Sequence, residues 1–312
     1  MQTQHLPVMA ALVVEFMVNR ADGTYIDCTV GPGGHARHVL DAAPSGRLLG
    51  LDLDPAALAA ARENLAAFGD RVRLARGSFA ELVSICEREG FDGCDGVLFD
   101  LGYSSVQLDD PGRGLSYSTD GPIDMRLDPE GPETAADVIA RAGENGLAEI
   151  IREFGEERRA HPIARAILEA RDRGRLETTA DLARAVLETH PRHRTKTLAR
   201  VFQALRIAVN RELENLRSGL EQAVEVLRPR GRIAVVSYHS LEDRIVKRFF
   251  ADRQDPCICP KELPHCVCGR VPTLRVVTKR VVRPDDAEIA ANPRSRSAKM
   301  RVAEKLREGE TP

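Results

Sequence analysis

Tryptophan is absent from the 312 residues, and only thirteen aromatic side chains occur, nine Phe and four Tyr. A binding surface built on many stacked bases is therefore not expected. Long apolar runs are also missing. The longest early one, Leu6 to Val14, is interrupted by Pro7 and stopped by Glu15. It is too short to span a bilayer and lacks the basic start of a signal peptide, so no membrane partner is expected. An excess of one charge is lacking, since 45 Lys and Arg face 47 Asp and Glu, a net −2. That excludes a uniformly basic nucleic-acid coat but leaves room for a local basic patch. Seven cysteines, an odd number in a chain able to bury a good core, point to a reducing cytoplasm rather than a disulfide scaffold. With 43% hydrophobic and 29% charged residues, disorder and collagen-like structure are excluded. A cytoplasmic globular protein is the expectation.

The length exceeds the ~100–200 residues of an ordinary domain, so one large domain with an insertion, or two domains, is expected. Thr24 to Val30 reads as a short apolar strand ending in Gly31-Pro-Gly-Gly, and Leu48 to Asp54 as a second. Asp54 and Pro55 then start an Ala-rich helix, with Asp as N-cap and Pro at the first helical position. Val72 to Ala75, Gly96 to Asp100 and Gly231 to Ser237 read as further strands. Strands alternating with helices predict an α/β fold with a doubly wound, mostly parallel Rossmann-like sheet. The gap between the fourth and fifth strands far exceeds a crossover of a dozen or more residues. It predicts an inserted all-helical domain over 109–214, with 1–108 and 215–312 forming the sheet domain. Helical patterns cover Pro162 to Ala170, Thr179 to Leu187 and Leu198 to Leu227. From Arg158 to Arg217, fourteen Lys and Arg outnumber seven Asp and Glu. Such a block is either a solvated face or a surface for a polyanion. The tail, Leu274 to Val282 and Ala298 to Ala303, alternates like edge strands.

Glycines after the first strand let backbone approach a ligand, and the next helix offers unpaired N–H groups. Asp52, at the end of the second strand, can accept hydrogen bonds from both hydroxyls of a ribose. A Rossmann dehydrogenase offers the same pair of features, but Gly31-Pro-Gly-Gly-His-Ala lacks the third glycine of G-x-G-x-x-G that serves a pyrophosphate. Phe79, just beyond the third strand, is placed to cover an adenine edge, and Asp100 ends the fourth strand beside the same crevice. This combination favours S-adenosylmethionine, which carries a sulfonium and no phosphate.

Six segments carry a specific resemblance. They are Asp27-Cys-Thr-Val-Gly-Pro-Gly-Gly-His, Asp100-Leu-Gly-Tyr-Ser-Ser-Val-Gln-Leu-Asp-Asp, Arg113-Gly-Leu-Ser-Tyr, Asp120-Gly-Pro-Ile-Asp-Met-Arg-Leu-Asp, Ser237-Tyr-His-Ser-Leu-Glu-Asp-Arg-Ile-Val-Lys and Asn292-Pro-Arg-Ser-Arg-Ser-Ala-Lys-Met-Arg. With His5-Leu-Pro-Val-Met at the start, the chain resembles the bacterial 16S rRNA (cytosine-N(4))-methyltransferase family, RsmH-type, also called MraW. The resemblance implies a class I methyltransferase fold and S-adenosylmethionine as cofactor. Its implied substrate is the exocyclic amine of a decoding-centre cytidine in 16S rRNA of the small ribosomal subunit. It further implies cofactor contacts from Gly33, Gly34, His35, Asp52, Phe79, Asp100 and Gln107.

The amine of cytosine is a poor nucleophile, because its lone pair is conjugated with the ring. Orientation and electrostatics can supply most of the help it needs. Amino methyltransferases place Asp or Asn-Pro-Pro-Tyr or Phe after strand four. Asp100-Leu-Gly-Tyr lacks both prolines, which leaves Asp100 as the catalytic candidate, either orienting the amine or contacting the cofactor. His239 after the fifth strand is either a proton acceptor or part of a structural loop. Asp120 and Asp124 either bind the base or cap a helix. Arg192, Arg194 and Lys196 are expected to meet phosphates, and Arg294 and Arg296 to share one face of an edge strand near the crevice.

No metal site is assigned. Cys257, Cys259, Cys266 and Cys268 bring four thiols together in sequence, as tetrahedral zinc requires, but with one residue inside each pair where two to four are usual. A zinc cytidine deaminase needs H-x-E with P-C-x-x-C, and neither occurs. A non-enzymatic RNA-binding or ribosome-assembly factor is the alternative reading. The joint presence of Gly33, Gly34, Asp52 and Asp100 favours the enzyme.

Overall fold

The computed structural model describes residues 7–260, 265 and 267–312. His5 and Leu6 of the amino-terminal motif, and Cys266, lie outside them. Seven strands form one sheet: β1 (Thr24–Asp27), β2 (Arg47–Asp52), β3 (Val72–Arg76), β4 (Cys94–Asp100), β5 (Leu227–Ser237), β6 (Leu274–Val276) and β7 (Lys299–Lys305). Their order is β3-β2-β1-β4-β5-β7-β6. The first five run parallel, and β7 is antiparallel to both β5 and β6. This is the doubly wound, mostly parallel Rossmann-like sheet expected from the sequence.

The central strands read as unbroken apolar runs because both faces are covered. Successive side chains alternate between those faces. Ile26, Leu49, Val97, Phe99, Ile233 and Val235 pack on one side with Leu82, Ile85, Leu216 and Leu220. Tyr25, Leu48, Leu98, Ala234 and Val236 pack on the other with Met9, Val13, Met17, Val39 and Leu40. Full burial of a Leu or Ile contributes about 1.5–3 kcal/mol. These two layers fix the strand ends, and the strand ends hold the site.

The chain divides into two compact units, Met1–Gly102 with Leu213–Pro312, and Tyr103–Glu212. The second unit begins six residues before, and ends two residues before, the inserted span expected at 109–214. Its main helices are Ala135–Arg141, Glu144–Gly155, Ala160–Asp172, Thr179–Glu188 and Arg194–Asn210. They close over a core of their own that includes Ile139, Leu147, Ile151, Ile163, Ile167, Leu182, Val201 and Leu205. Two of the helices start with reciprocal capping boxes, Thr134 with Asp137 and Thr178 with Asp181. Each cap is worth ~1 kcal/mol. No helix among the described residues is long and apolar enough to cross a membrane.

Two expectations need correction. The pattern from Leu198 to Leu227 is not one helix. It breaks at Arg211, which has φ 48°, and a second helix runs Glu212–Val226 before β5 begins at Leu227. No Gly or Pro marks this break. Asn210 makes it, donating through Nδ2 to the carbonyls of Met125 and Arg206 at 2.8 Å and accepting from the N–H of Leu127 at 2.7 Å. The second correction concerns Arg294 and Arg296. A strand does close the sheet beside β5, but it begins at Lys299; Pro293–Ser297 is a 3₁₀ turn. Pro293 supplies the φ that suits a first helical position, and buried Ser295 donates its hydroxyl to the Asn292 carbonyl at 2.8 Å. With three residues per turn, side chains two apart point about 120° away from each other. Arg294 and Arg296 therefore share no face.

Candidate active site

In an open α/β sheet, ligands sit outside the carboxyl ends of the strands where the strand order reverses. Here the reversal falls between β1 and β4. The turn after β1 is left-handed at Gly31 (φ 51°) and Gly33 (φ 92°). A side chain at Gly31 would meet nothing nearer than the Thr29 carbonyl at 4.0 Å, so backbone conformation requires this glycine and the space beside it is open. The other two serve the protein's own packing. A Cβ on Gly33 would press on Leu65 at 3.0 Å, and one on Gly34 would press on Pro7 at 3.1 Å. Gly33 is the N-cap of helix Gly34–Ala42, the element that carries His35.

Three adjacent strands of the parallel sheet end in carboxylates. Asp52, last in β2, accepts from the N–H of Gly31 at 2.9 Å through Oδ2 and from that of Asp54 at 2.9 Å through Oδ1. It thus ties the glycine turn to β2, and burial pushes its carboxyl up to about 6. Asp27, last in β1, is 2% exposed. Its Oδ1 accepts from the N–H of Thr29 at 3.2 Å, while buried Oδ2 has no hydrogen-bond partner. Burial pushes Asp27 up to about 7, partly offset by the His35 ring. Asp100, last in β4, accepts the hydroxyl of Tyr238 at 2.7 Å through Oδ1 and lies 3.5 Å from Nδ1 of His35 through Oδ2. His35 Nε2 sits 2.8 Å from the carbonyl of Val8. A carbonyl can only accept, so Nε2 carries a hydrogen, and Nδ1 can donate to Asp100 only from the doubly protonated ring.

Phe79 opens a short turn capped by Ser78, whose Oγ accepts from Ala80 at 3.1 Å. Its ring stands edge-on to Phe99, with centroids 5.4 Å apart. One half-buried aromatic face is thereby fixed beyond β3. From Cys28 to Ala36 there is no Lys or Arg. A crevice with three carboxylates and no cation in its loop disfavours a pyrophosphate and favours a ligand with positive charge. The orphaned Oδ2 of Asp27 fits such a ligand directly, because an unpaired buried acceptor costs about 1–3 kcal/mol that a donor group recovers. S-adenosylmethionine, with its sulfonium and ammonium, has that chemistry.

Comparison with known proteins agrees. The model of the MraW methylase family matches residues 2–306. The chain belongs to that family. A ribosomal RNA small subunit methyltransferase H from Geobacter sulfurreducens is 51% identical over 311 residues, covering 98% of this chain and all of the relative. Its counterpart from Symbiobacterium thermophilum is 49% identical over 315 residues, covering 99% of each chain. As a member of the MraW methylase family, the chain is a methyltransferase whose cofactor is S-adenosylmethionine.

The remaining residues singled out from the sequence are placed as follows. Gln107 belongs to the second unit, where it is buried and forms a capping box with Ser104, accepting from its N–H at 2.9 Å. In the same unit Asp120 accepts from the N–H groups of Gly121 and Ala180 at 3.0 and 3.1 Å, and its hydrogen bonds to Thr178 and Ala180 hold its carboxyl below the usual range. Asp124 pairs with Arg126 at 2.7 Å. Both acids are thus engaged within their own unit. His239 is the N-cap of helix Ser240–Gln254, with Nε2 3.1 Å from Glu242 Oε1. Two members of the cluster, Asp27 and Tyr238, were not marked as site residues by sequence reasoning. Both lie in family segments, and Asp27 immediately precedes the glycine turn. That position, an acid at the mouth of the switch point, was the available signal.

Proposed function

We propose that this chain transfers the methyl group of S-adenosylmethionine to the exocyclic N(4) amine of a decoding-centre cytidine in 16S rRNA, acting in the cytoplasm on the small ribosomal subunit. The observation that carries the reading is the convergence of Asp27, Asp52 and Asp100 around an open left-handed glycine turn, in a chain of the MraW methylase family.

When bound, the cofactor supplies an electrophilic methyl on a sulfonium. The chain's own residues do the rest. Asp52 keeps lone pairs for the ribose hydroxyls after bonding Gly31 and Asp54. Phe79 offers an apolar wall for the adenine, the Gly33–Gly34 turn brings backbone and His35 close, and Asp27 faces positive charge. Asp100, held by the Tyr238 hydroxyl and lying beside the His35 ring, orients the ligand in the crevice; contact with the cofactor is its first role. For Gln107 the family motif alone implies a cofactor contact. His239 serves as a helix cap rather than as a proton acceptor.

The helical unit, Tyr103–Glu212, supplies the RNA surface. Six arginines of its basic block are ion-paired with acids, as in Arg165 with Glu144 and Arg206 with Glu212. Arg192, Arg194 and Lys196 are exposed. Two of them stand in the first turn of helix Arg194–Asn210, which has no side-chain cap and no acid there. Positive charge at a helix N-terminus opposes the dipole by about 0.3–1 kcal/mol each, and a phosphate relieves it. Mass spectrometry of 16S rRNA from cells lacking the chain tests the proposal. One methyl missing from a single cytidine, restored by the wild-type chain and not by an Asp100→Ala variant, is the expected result. A full complement of methylated cytidine in those cells would overturn it.

A further inference from the structure

Between helix Ser240–Gln254 and β6 lies a stretch without regular structure among its described residues. Its base is closed, since Thr273 donates its N–H to the carbonyl of Arg253 at 3.0 Å. Loops longer than about 12–15 residues with no secondary structure are uncommon and need something to hold them. A hydrophobic core does not do so here: Ile258, Val267 and Val271 are 65%, 78% and 72% exposed. Instead the sulfur atoms of Cys257, Cys259 and Cys268 all lie within 4.8 Å of one another.

We propose that Cys257, Cys259 and Cys268 bind a structural zinc ion that holds this loop. Zinc–sulfur bonds of about 2.3 Å in a tetrahedron put sulfurs ~3.8 Å apart, so the thiols need to draw in by only about 1 Å. A second observation points the same way. The N–H of Val267 donates to Cys259 Sγ at 3.3 Å, the kind of bond that orients a ligating thiolate and steadies its charge. On binding, three S–H groups lose their protons to solvent and three sulfur–zinc bonds form. A fourth position is left for water or another donor. Soft thiolates select zinc over magnesium or calcium.

The site is remote from the carboxylate crevice. Helix Ser240–Gln254 starts at the carboxyl end of β5, and β6 runs in the same direction as β5, both being antiparallel to β7. The loop therefore enters β6 at the end of the sheet opposite the carboxyl ends of the parallel strands. The ion's role is to close a loop that cannot bury enough apolar surface to order itself.

The test uses the full chain, untagged, reduced and purified without chelator. Elemental analysis is expected to find about one zinc per chain. Cobalt replacing it is expected to give tetrahedral ligand-field bands with thiolate-to-cobalt charge transfer, which buried histidines and carboxylates cannot produce. Cys259→Ser and Cys268→Ser are each expected to weaken cobalt binding at least tenfold while S-adenosylmethionine affinity stays unchanged, which also reports that the fold survives. A reduced wild-type chain showing neither zinc nor charge-transfer bands overturns the proposal without recourse to variants. So does a disulfide between two of these cysteines in freshly isolated protein, or a Cys259→Ser variant with wild-type cobalt affinity.

Discussion

Tyr238 donates its hydroxyl to Asp100 at 2.7 Å, tying the residue that follows β5 to the last residue of β4. Burial and the neighbouring carboxylate push the phenol well above its usual range, so it remains a donor throughout the working pH range. Tyr238→Phe removes one hydrogen bond to a charged acceptor, worth about 1.5–3 kcal/mol. The expected result is a rise of about tenfold or more in the dissociation constant for S-adenosylmethionine, with circular dichroism unchanged. Unaltered calorimetric affinity would detach Tyr238 from the site.

Asp52→Ala should do double damage, because the side chain holds the glycine turn and is the proposed acceptor for the ribose hydroxyls. We predict a loss of at least tenfold in cofactor affinity and a lower Tm in the ligand-free chain. Asp52→Asn, which keeps an acceptor oxygen, should recover part of the stability and little of the affinity. Calorimetry and thermal unfolding of both variants separate the two effects.

Asp27 and Asp52 are pushed from the usual 3.8 up to about 7 and about 6. Between roughly pH 4 and 7 the folded, ligand-free chain therefore holds protons that the unfolded chain has lost. Their contribution to stability falls as pH rises through that window. A cationic ligand prefers the ionised carboxyls, so its binding should release protons at pH 6 and tighten toward pH 7.5. Calorimetry in buffers of different ionisation enthalpy measures the release, and Asp27→Asn should reduce it. Proton uptake on binding would contradict the assignment.

Replacing Arg192, Arg194 and Lys196 together with Gln should weaken RNA binding and flatten its salt dependence. At about 0.7 per phosphate contact on a single strand, the slope of log affinity against log salt should fall by ~2. Cofactor affinity should not change. An unchanged slope would make the three residues an ordinary solvated face.

The sheet was legible because its strands are short buried runs that end in recognisable punctuation: Gly31 after β1, Asp52 before an Asp54–Pro55 helix start, Asp100 before Gly102. The break at Arg211 was not, because apolar spacing continues through it and the side chain of Asn210 that enforces it contacts Met125 and Leu127, far away in sequence. The turn at Pro293–Ser297 was hidden differently: alternation imitates a strand there, and burial of Ser295 decides otherwise. In the site, residue types were readable but partnerships were not. Asp52 reads as a ribose acid, and nothing local reveals that it also fastens Gly31. Tyr238 reads as one residue of a loop until folding sets it against Asp100.

Placing the helical unit between two neighbouring strands has a consequence for assembly. Asp100 and Val236 are register partners in the sheet, yet the whole of Tyr103–Glu212 separates them along the chain. Joining such distant ends in an unfolded chain carries a closure entropy that grows with the logarithm of the intervening length. The helical unit consists of local contacts with its own core, which form fast. Once it has collapsed, the ends to be joined belong to a short, stiff excursion. The expected order of events in refolding is therefore helices first and the β4–β5 pairing last. Pulsed hydrogen exchange should protect the amides of Ile151 and Ile167 before those of Phe99 and Val235.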